Sequence, residues 1–231
     1  MSDIPKEPER SAADMAHTIV KAVVSAVPYA GGPAAELLGL VFGPPLEKRQ
    51  KKWMQDLADS VNEIQRKVAG LSTAQLSENE VFVTTALHAT EIAIRTHQQE
   101  KLDALRNAVV NSPQPGSPDE TLQQIFLSCV DTLTPLHLRT LSFLDDSDLA
   151  LKKQGQAPET PLSWDTLDSE LEQGIHEFIG RPELADQIVN DLQQRGFVKP
   201  GNMRMIMAFS GSSPSQTTEM GRQFLRFISR Q

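Results

Sequence analysis

Apolar residues recur at helical spacing along most of the chain, and the breaks in that recurrence mark where one helix hands over to the next. Between Gly70 and Pro113 no proline or glycine intervenes, and Val83, Leu87 and Ile94, then Leu102, Leu105 and Val109, form a stripe. The spacing predicts one helix from Val81 to Asn111, about 45 Å long at about 1.5 Å per residue. From Arg95 to Lys101 the stripe turns polar. That gap marks either a functional site or a point where the helix leaves the core. Because no other helix offers matching acids or ligands, it is read as dividing the helix. The first half, with Ala86, Ala89 and Ala93, suits close packing, and the second, with Leu102, Leu105 and Val109, holds the helices that follow.

Upstream, Ser11 caps a predicted helix from Ala12 to Val27 with Met15, Ile19, Val23 and Val27 on its apolar side. Pro28 stops it. After a turn from Tyr29 to Pro33, a second short helix runs from Ala34 to Phe42 with Leu37 and Leu40. Leu46 to Val68 is strongly amphipathic, with Trp53, Leu57, Val61, Ile64 and Val68 at steps of three and four. Downstream, Ser117-Pro118-Asp119-Glu120 reads as a helix start with Ser117 at the N-cap, placing Leu122, Ile125, Phe126, Cys129 and Leu133 inward. Thr134-Pro135 repeats the start signal for a helix with Leu138, Leu141 and Leu144, ending near Asp145.

Residues 145 to 166 are rich in aspartate, proline and small polar side chains. After them, Leu167, Leu171, Ile175 and Phe178 predict one short helix, and Pro182 opens another that ends near Arg195. Met203 to Phe209 reads as a strand, Ser210 to Gln216 as a loop, and Thr217 onward as a last helix carrying Phe224, Leu225, Phe227 and Ile228. The fold class expected is mainly α: a disordered lead-in (1–10), a helical bundle (11–145), a linker (146–163) and a small C-terminal winged-helix-like α+β module (164–231).

Composition agrees with helices: 39% of residues are hydrophobic and 5% aromatic. The net charge of −8 argues against non-specific nucleic-acid binding by the chain as a whole. The charge is uneven, with nine acids against two bases over residues 142–180, and seven bases against four acids over residues 181–231. Cys129 is the single cysteine, so no internal disulfide forms, in keeping with a reducing cytoplasm. The first ten residues lack the basic and apolar regions of a signal peptide, and no stretch accumulates twenty apolar residues.

Ile188 to Val198, followed by a strand, a wing-like loop and Thr218-Glu219-Met220-Gly221-Arg222-Gln223-Phe224-Leu225, resembles the second half of a winged helix-turn-helix. It looks most like the form seen in bacterial multiple-antibiotic-resistance-type regulators. The whole chain is similar to helical bacterial proteins near the abortive-infection Abi-alpha family, through a helical front and a tail ending in a Thr-x-x-Gly-x-x-Phe helix. That similarity implies a role in resistance to phage.

In a winged helix that reads DNA, the helix before the wing meets base edges while basic residues meet phosphate. Here Gln187, Asn190 and Gln194 are the candidate readers, and Arg195, Lys199, Arg204, Arg222 and Arg226 the candidate cations. Glu183, Asp186 and Asp191 on the same helix oppose phosphate, and the wing holds no base. These residues therefore point at least as much to a protein partner as to nucleic acid. The hairpin 12–42, with Val23, Val27, Tyr29, Leu37, Leu40 and Phe42 followed by Lys48, Arg49, Lys51 and Lys52, reads either as a buried helical pair or as a membrane-active element with a basic collar.

His88, Glu91, Arg95 and His97 form the closest polar grouping, with Glu91 and Arg95 spaced for an i,i+4 ion pair. No second helix supplies a Glu-x-x-His partner for a metal centre, and Arg95-Thr96-His97 lacks the wider spacing of HEPN-type ribonucleases. No cofactor and no catalytic role are expected. The leading expectation is a non-enzymatic regulatory or adaptor protein, followed by a membrane-active effector and a DNA-binding regulator.

Overall fold

The computed structural model describes residues 44–67, 72–145, 171–172, 174–200 and 215–230. The hairpin 12–42, the linker, the strand expected at 203–209 and Arg204 lie outside the described residues. What is described is mainly helical. The amphipathic pattern around Trp53 folds as α1 (Pro44–Lys67), with Trp53 and Leu57 buried. Contacts divide the chain between Gln55 and Asp56, and everything described below belongs to the unit from Asp56 onward. A five-residue helix, α2 (Thr73–Ser77), opens on a capping box in which Ser72 and Gln75 satisfy each other's backbone N–H.

The helix expected from Val81 to Asn111 is two helices, α3 (Glu80–Arg95) and α4 (Gln99–Asn111), packed on one another. The polar gap is the break between them. Thr96 is extended (φ −107°, ψ 152°), as is Gln98 (φ −77°, ψ 111°), and the Thr96 hydroxyl accepts the Gln98 N–H at 3.2 Å. A threonine side chain offers the backbone this alternative to helix, and with no apolar residue to anchor the next two turns the alternative wins. The inward face of α3 also differs from the expected stripe. Thr85, Ala89, Ile92 and Ala93 are buried, while Leu87 is 64% exposed. The small alanines bring the backbones close, and the Thr85 hydroxyl donates to Gln123 Oε1 at 3.1 Å across the interface.

α5 (Glu120–Thr132) starts two residues later than the sequence suggests. Asp119, not Ser117, is the N-cap, accepting the Leu122 N–H at 3.0 Å. Ser117 instead donates its hydroxyl to the Asn111 carbonyl and closes the preceding loop. Phe126, Leu127, Cys129 and Val130 are buried, and Ile125, expected inward, is exposed. α6 (Pro135–Asp145) buries Leu138, Leu141 and Leu144 as its spacing predicts.

Farther along, Leu171, Ile175 and Phe178 are buried as expected, but not on one helix. Ile175 is extended (φ −135°, ψ 99°) and His176–Phe178 is a 3-10 turn. α7 (Pro182–Gln194) buries Ala185, Ile188, Val189 and Leu192 against α6. Gly196, at φ +73°, turns the chain back. α8 (Glu219–Ile228) packs on α4 and α6. Among the described residues the β structure is a lone antiparallel bridge, Val198 to Thr217, with no strand. No described helix is long and apolar enough to cross a membrane.

Phe126, Phe197, Phe224 and Phe227 fill the centre, all 1% exposed or less. Phe197 stacks on Phe224 with centroids 4.6 Å apart and planes at 8°, and Phe126 meets Phe224 edge-on at 5.3 Å. Each such side chain contributes about 1.5–3 kcal/mol by burial, so this cluster ties α5 to α8. The Thr-x-x-Gly-x-x-Phe pattern now has a physical basis. Thr218 caps α8 through the Gly221 N–H at 3.0 Å. Gly221 lets the helix approach the 197 backbone, since a Cβ there would collide with the Phe197 carbonyl oxygen. Phe224 then reaches its stack.

Candidate functional site

The polar groups that the fold draws together lie where the end of α5 and the start of α6 meet α7. Thr134 precedes α6, and His137 sits three residues later, the position from which a side chain reaches back to an N-cap N–H. The Thr134 N–H donates to His137 Nδ1 at 3.2 Å, and the Thr134 hydroxyl lies 2.8 Å from the same nitrogen. A backbone N–H can only donate, so Nδ1 is the acceptor and the neutral ring carries its proton on Nε2. That N–H points to Asp191 Oδ2 on α7 at 3.2 Å, while Asp191 Oδ1 accepts from Gln187 Nε2 at 2.7 Å. Burial pushes the imidazole below the ordinary histidine range, and Asp191 pulls the other way.

Beside this seam, Arg195 donates from Nη1 to Cys129 Sγ at 3.4 Å. Burial raises the Cys129 thiol against the opposing effect of Arg195, so it stays protonated at neutral pH. The hydroxyl, imidazole, carboxylate and thiol are thus each committed to holding α5, α6 and α7 in register. A nucleophile needs a base free to take its proton. The one base here is shared between a backbone N–H and a hydroxyl.

The expected polar patch on α3 is taken apart by the fold. Arg95 reaches the Asp131 carboxylate at 2.9 Å and the Glu91 carbonyl at 3.3 Å in place of the expected Glu91 carboxylate. His97 is exposed in the break, and His88 is half-buried on α3. Lys101, just after the break, is 7% exposed and donates to the Asp131 carbonyl at 2.7 Å. Burial lowers its pKa, Asp131 raises it and Arg95 lowers it further. Two cations from either side of the break therefore grip the C-terminal end of α5, where the helix dipole favours positive charge. That grip is the physical role of the polar gap.

In the tail, Gln187, Asn190 and Gln194 share the exposed face of α7 as expected, with Glu183 and Asp186 beside them. The basic residues do not join them as a free cluster. Arg195 turns inward to Cys129, and Lys199 donates to the Ser215 carbonyl at 2.6 Å. Arg222 and Arg226 both bind Glu219, at 3.1 and 2.9 Å, and hold its carboxyl below the ordinary range, Arg226 contributing most.

Two cavities flank Asn111. One of about 350 Å³ is lined by Asp56, Asp59, Glu63, Arg106 and Arg230 among others. Arg230 pairs with Glu63 at 2.5 Å, and Arg106, bound to Asp103, also lies 4.0 Å from Asp56. The other, about 500 Å³, lies between the 114–119 loop and α8. Among the described residues no group of three or more His, Cys, Asp or Glu is placed to hold a metal ion.

The sequence did not reveal the His137–Asp191 or Cys129–Arg195 pairs, because each joins helices far apart in the chain. The signal within reach was His137 three residues after Thr134, in a helix start already recognised. Set against known protein families, characterised proteins and solved structures, the chain finds no match.

Proposed function

We propose that this protein is a non-enzymatic regulatory or adaptor protein that binds another protein through the outer face of α7. The observation that carries this reading is the charge arrangement of the tail. The exposed face offers two carboxylates, Glu183 and Asp186, and the amides of Gln187, Asn190 and Gln194, while Arg195, Arg222 and Arg226 are tied to local acceptors and, among the described residues, Arg181 alone stands exposed at the head of α7. A phosphate backbone draws its affinity from available Lys and Arg. A protein surface is read through amides, carboxylates and a neighbouring apolar contact, and Ile179, 56% exposed shortly before α7, supplies one.

In this reading the tail is a winged-helix-like module reused for protein contact. The order α7, turn, antiparallel bridge Val198–Thr217, then α8 supports that architecture. The resemblance to Abi-alpha proteins read from the sequence points to the cytoplasm of phage-infected bacterial cells as the place to look for the partner.

A photo-crosslinking amino acid placed at Asn190 in cells tests the proposal, with the same group at His97 as control. The expected result is a discrete protein adduct at Asn190 that is lost in Asp186→Arg. Retention of duplex DNA at low salt, abolished by Arg222→Ala with Arg226→Ala, would overturn it in favour of nucleic acid.

A further inference from the structure

We propose that the partner of the α7 face is a second copy of this chain, docking through the outer face of α1, which rests on the binding role argued for α7 above. Five exposed residues share that face of α7: Glu183, Asp186, Gln187, Asn190 and Gln194. They stand three, four, seven and eleven positions from the first, the spacing of one helical side. α1 repeats the same offsets with Lys48, Lys51, Lys52, Gln55 and Asp59. All five are exposed, and they lie on the side of α1 opposite buried Trp53 and Leu57.

Set start against start, the two rows complement each other position by position. Lys48 meets Glu183 and Lys51 meets Asp186, four charges that have no ion pair among the described residues. Lys52 meets Gln187, whose nitrogen serves Asp191 at 2.7 Å and whose oxygen is left to accept. Gln55 meets Asn190, amide to amide, and the Asp59 carboxylate accepts from the Gln194 amide. The same register brings Glu47 within one position of Arg181, the exposed cation at the head of α7. Reversed, the rows would set Asp59 against Glu183 and leave Lys48 facing an amide. Like charges so juxtaposed oppose that arrangement, and the parallel one is selected.

The meeting faces belong to different helices, so the contact is heterologous: it is exchanged twice in a closed pair or repeats from copy to copy. Each row is about 17 Å long at about 1.5 Å per residue, short for a specific interface. The association is therefore weak. The net charge of −8 sets whole copies to repel, but at physiological salt that field fades beyond about 8 Å, whereas the paired side chains act at contact. Added salt beyond that weakens the pairs themselves.

Sedimentation of the full chain tests the proposal with two charge reversals, Glu183→Lys with Asp186→Lys on α7 and Lys48→Glu with Lys51→Glu on α1. All four positions are exposed, and thermal melts close to wild type verify folding. The wild-type mass is expected to rise with concentration near physiological salt and to fall to that of one chain at high salt. Each reversal alone should weaken association about tenfold or more. Mixing the two reversed chains should restore it, because each then finds an opposite row on the other. A wild type that keeps the mass of one chain at every concentration would overturn the proposal, and so would reversals that fail to rescue each other. The photo-crosslinking group at Asn190 separates this partner from the broader binding role. An adduct of two copies supports the second copy. An adduct with a different protein, without self-association, refutes the second copy and leaves the binding role of α7 standing, and no adduct of either kind refutes both.

Discussion

The side-chain amide of Asn111 donates to the Phe227 carbonyl at 2.9 Å, so the final residue of α4 terminates α8. The same nitrogen lies 2.8 Å from the Ser229 carbonyl, and Asn107, one turn earlier, serves the Ile228 carbonyl at 3.0 Å. Helix C-termini leave carbonyls without partners, and here a neighbouring helix supplies the donors. Replacing the buried Asn111 by Ala strands two carbonyls and should cost about 2–3 kcal/mol, against about 1 kcal/mol for half-buried Asn107→Ala. Urea midpoints check the order, and equal losses would refute the capping role.

Gly221→Ala should destabilise although alanine is the better helix former by about 1 kcal/mol. The new methyl meets the Phe197 carbonyl and the Thr217 side chain, and neither is the end of a long flexible group. A net loss of about 1–2 kcal/mol is expected, with overpacking outweighing propensity. A thermal melt at or above wild type would show that α8 sits farther from the turn.

Thr217 is fully buried with its hydroxyl unpartnered. Thr217→Val keeps the shape, removes the orphaned group and suits the extended bridge, so stability should rise by about 1 kcal/mol. The melting temperature is the readout.

Glu219 is the shared acceptor of Arg222 and Arg226. Glu219→Gln should leave the fold intact, because the pairs are exposed, yet remove the negative charge that Arg222 and Arg226 share. Stronger, salt-sensitive retention on heparin relative to wild type is expected. Unchanged retention would mean that these arginines already face solvent uncompensated. The same carboxylate, with its pKa lowered in the fold, keeps its pairs above the ordinary glutamate range and loses them as pH falls through the lowered value.

Leu105 is fully buried at the centre of α4 and His97 is exposed in the break. Leu105→Asp should unfold the unit, since a carboxylate without a partner replaces a core side chain at a cost of more than about 4 kcal/mol. His97→Ala should melt like wild type. A folded Leu105→Asp would remove α4 from the centre.

Period and punctuation carried the reading a long way. Trp53 with Leu57, the Pro182 start, and the Thr218 cap all declare themselves within one helical turn. The errors arose where tertiary partners decide. Thr96 breaks a helix that lacks any proline or glycine, because Lys101 and Arg95 gain a joint hold on Asp131 once the chain turns there. Leu87 faces outward because alanines, not the largest apolar residues, form the close contact of α3. The arginines of the tail looked like a free cluster in sequence, and in the fold Glu219 neutralises Arg222 and Arg226 while Arg195 turns to Cys129. No local pattern could place Asn111 under Ser229 or His137 beside Asp191.

The stacked phenylalanines bear on how the chain is made. Phe126 belongs to α5, yet the rings that cover it, Phe197, Phe224 and Phe227, are synthesised long afterwards. A ribosome-bound intermediate ending before α8 therefore leaves Phe126 and Phe197 without Phe224 and Phe227, the rings that close over them. Completion of the fold waits on the last helix described, and a chain shortened before it should become a client of chaperones instead of a smaller folded protein.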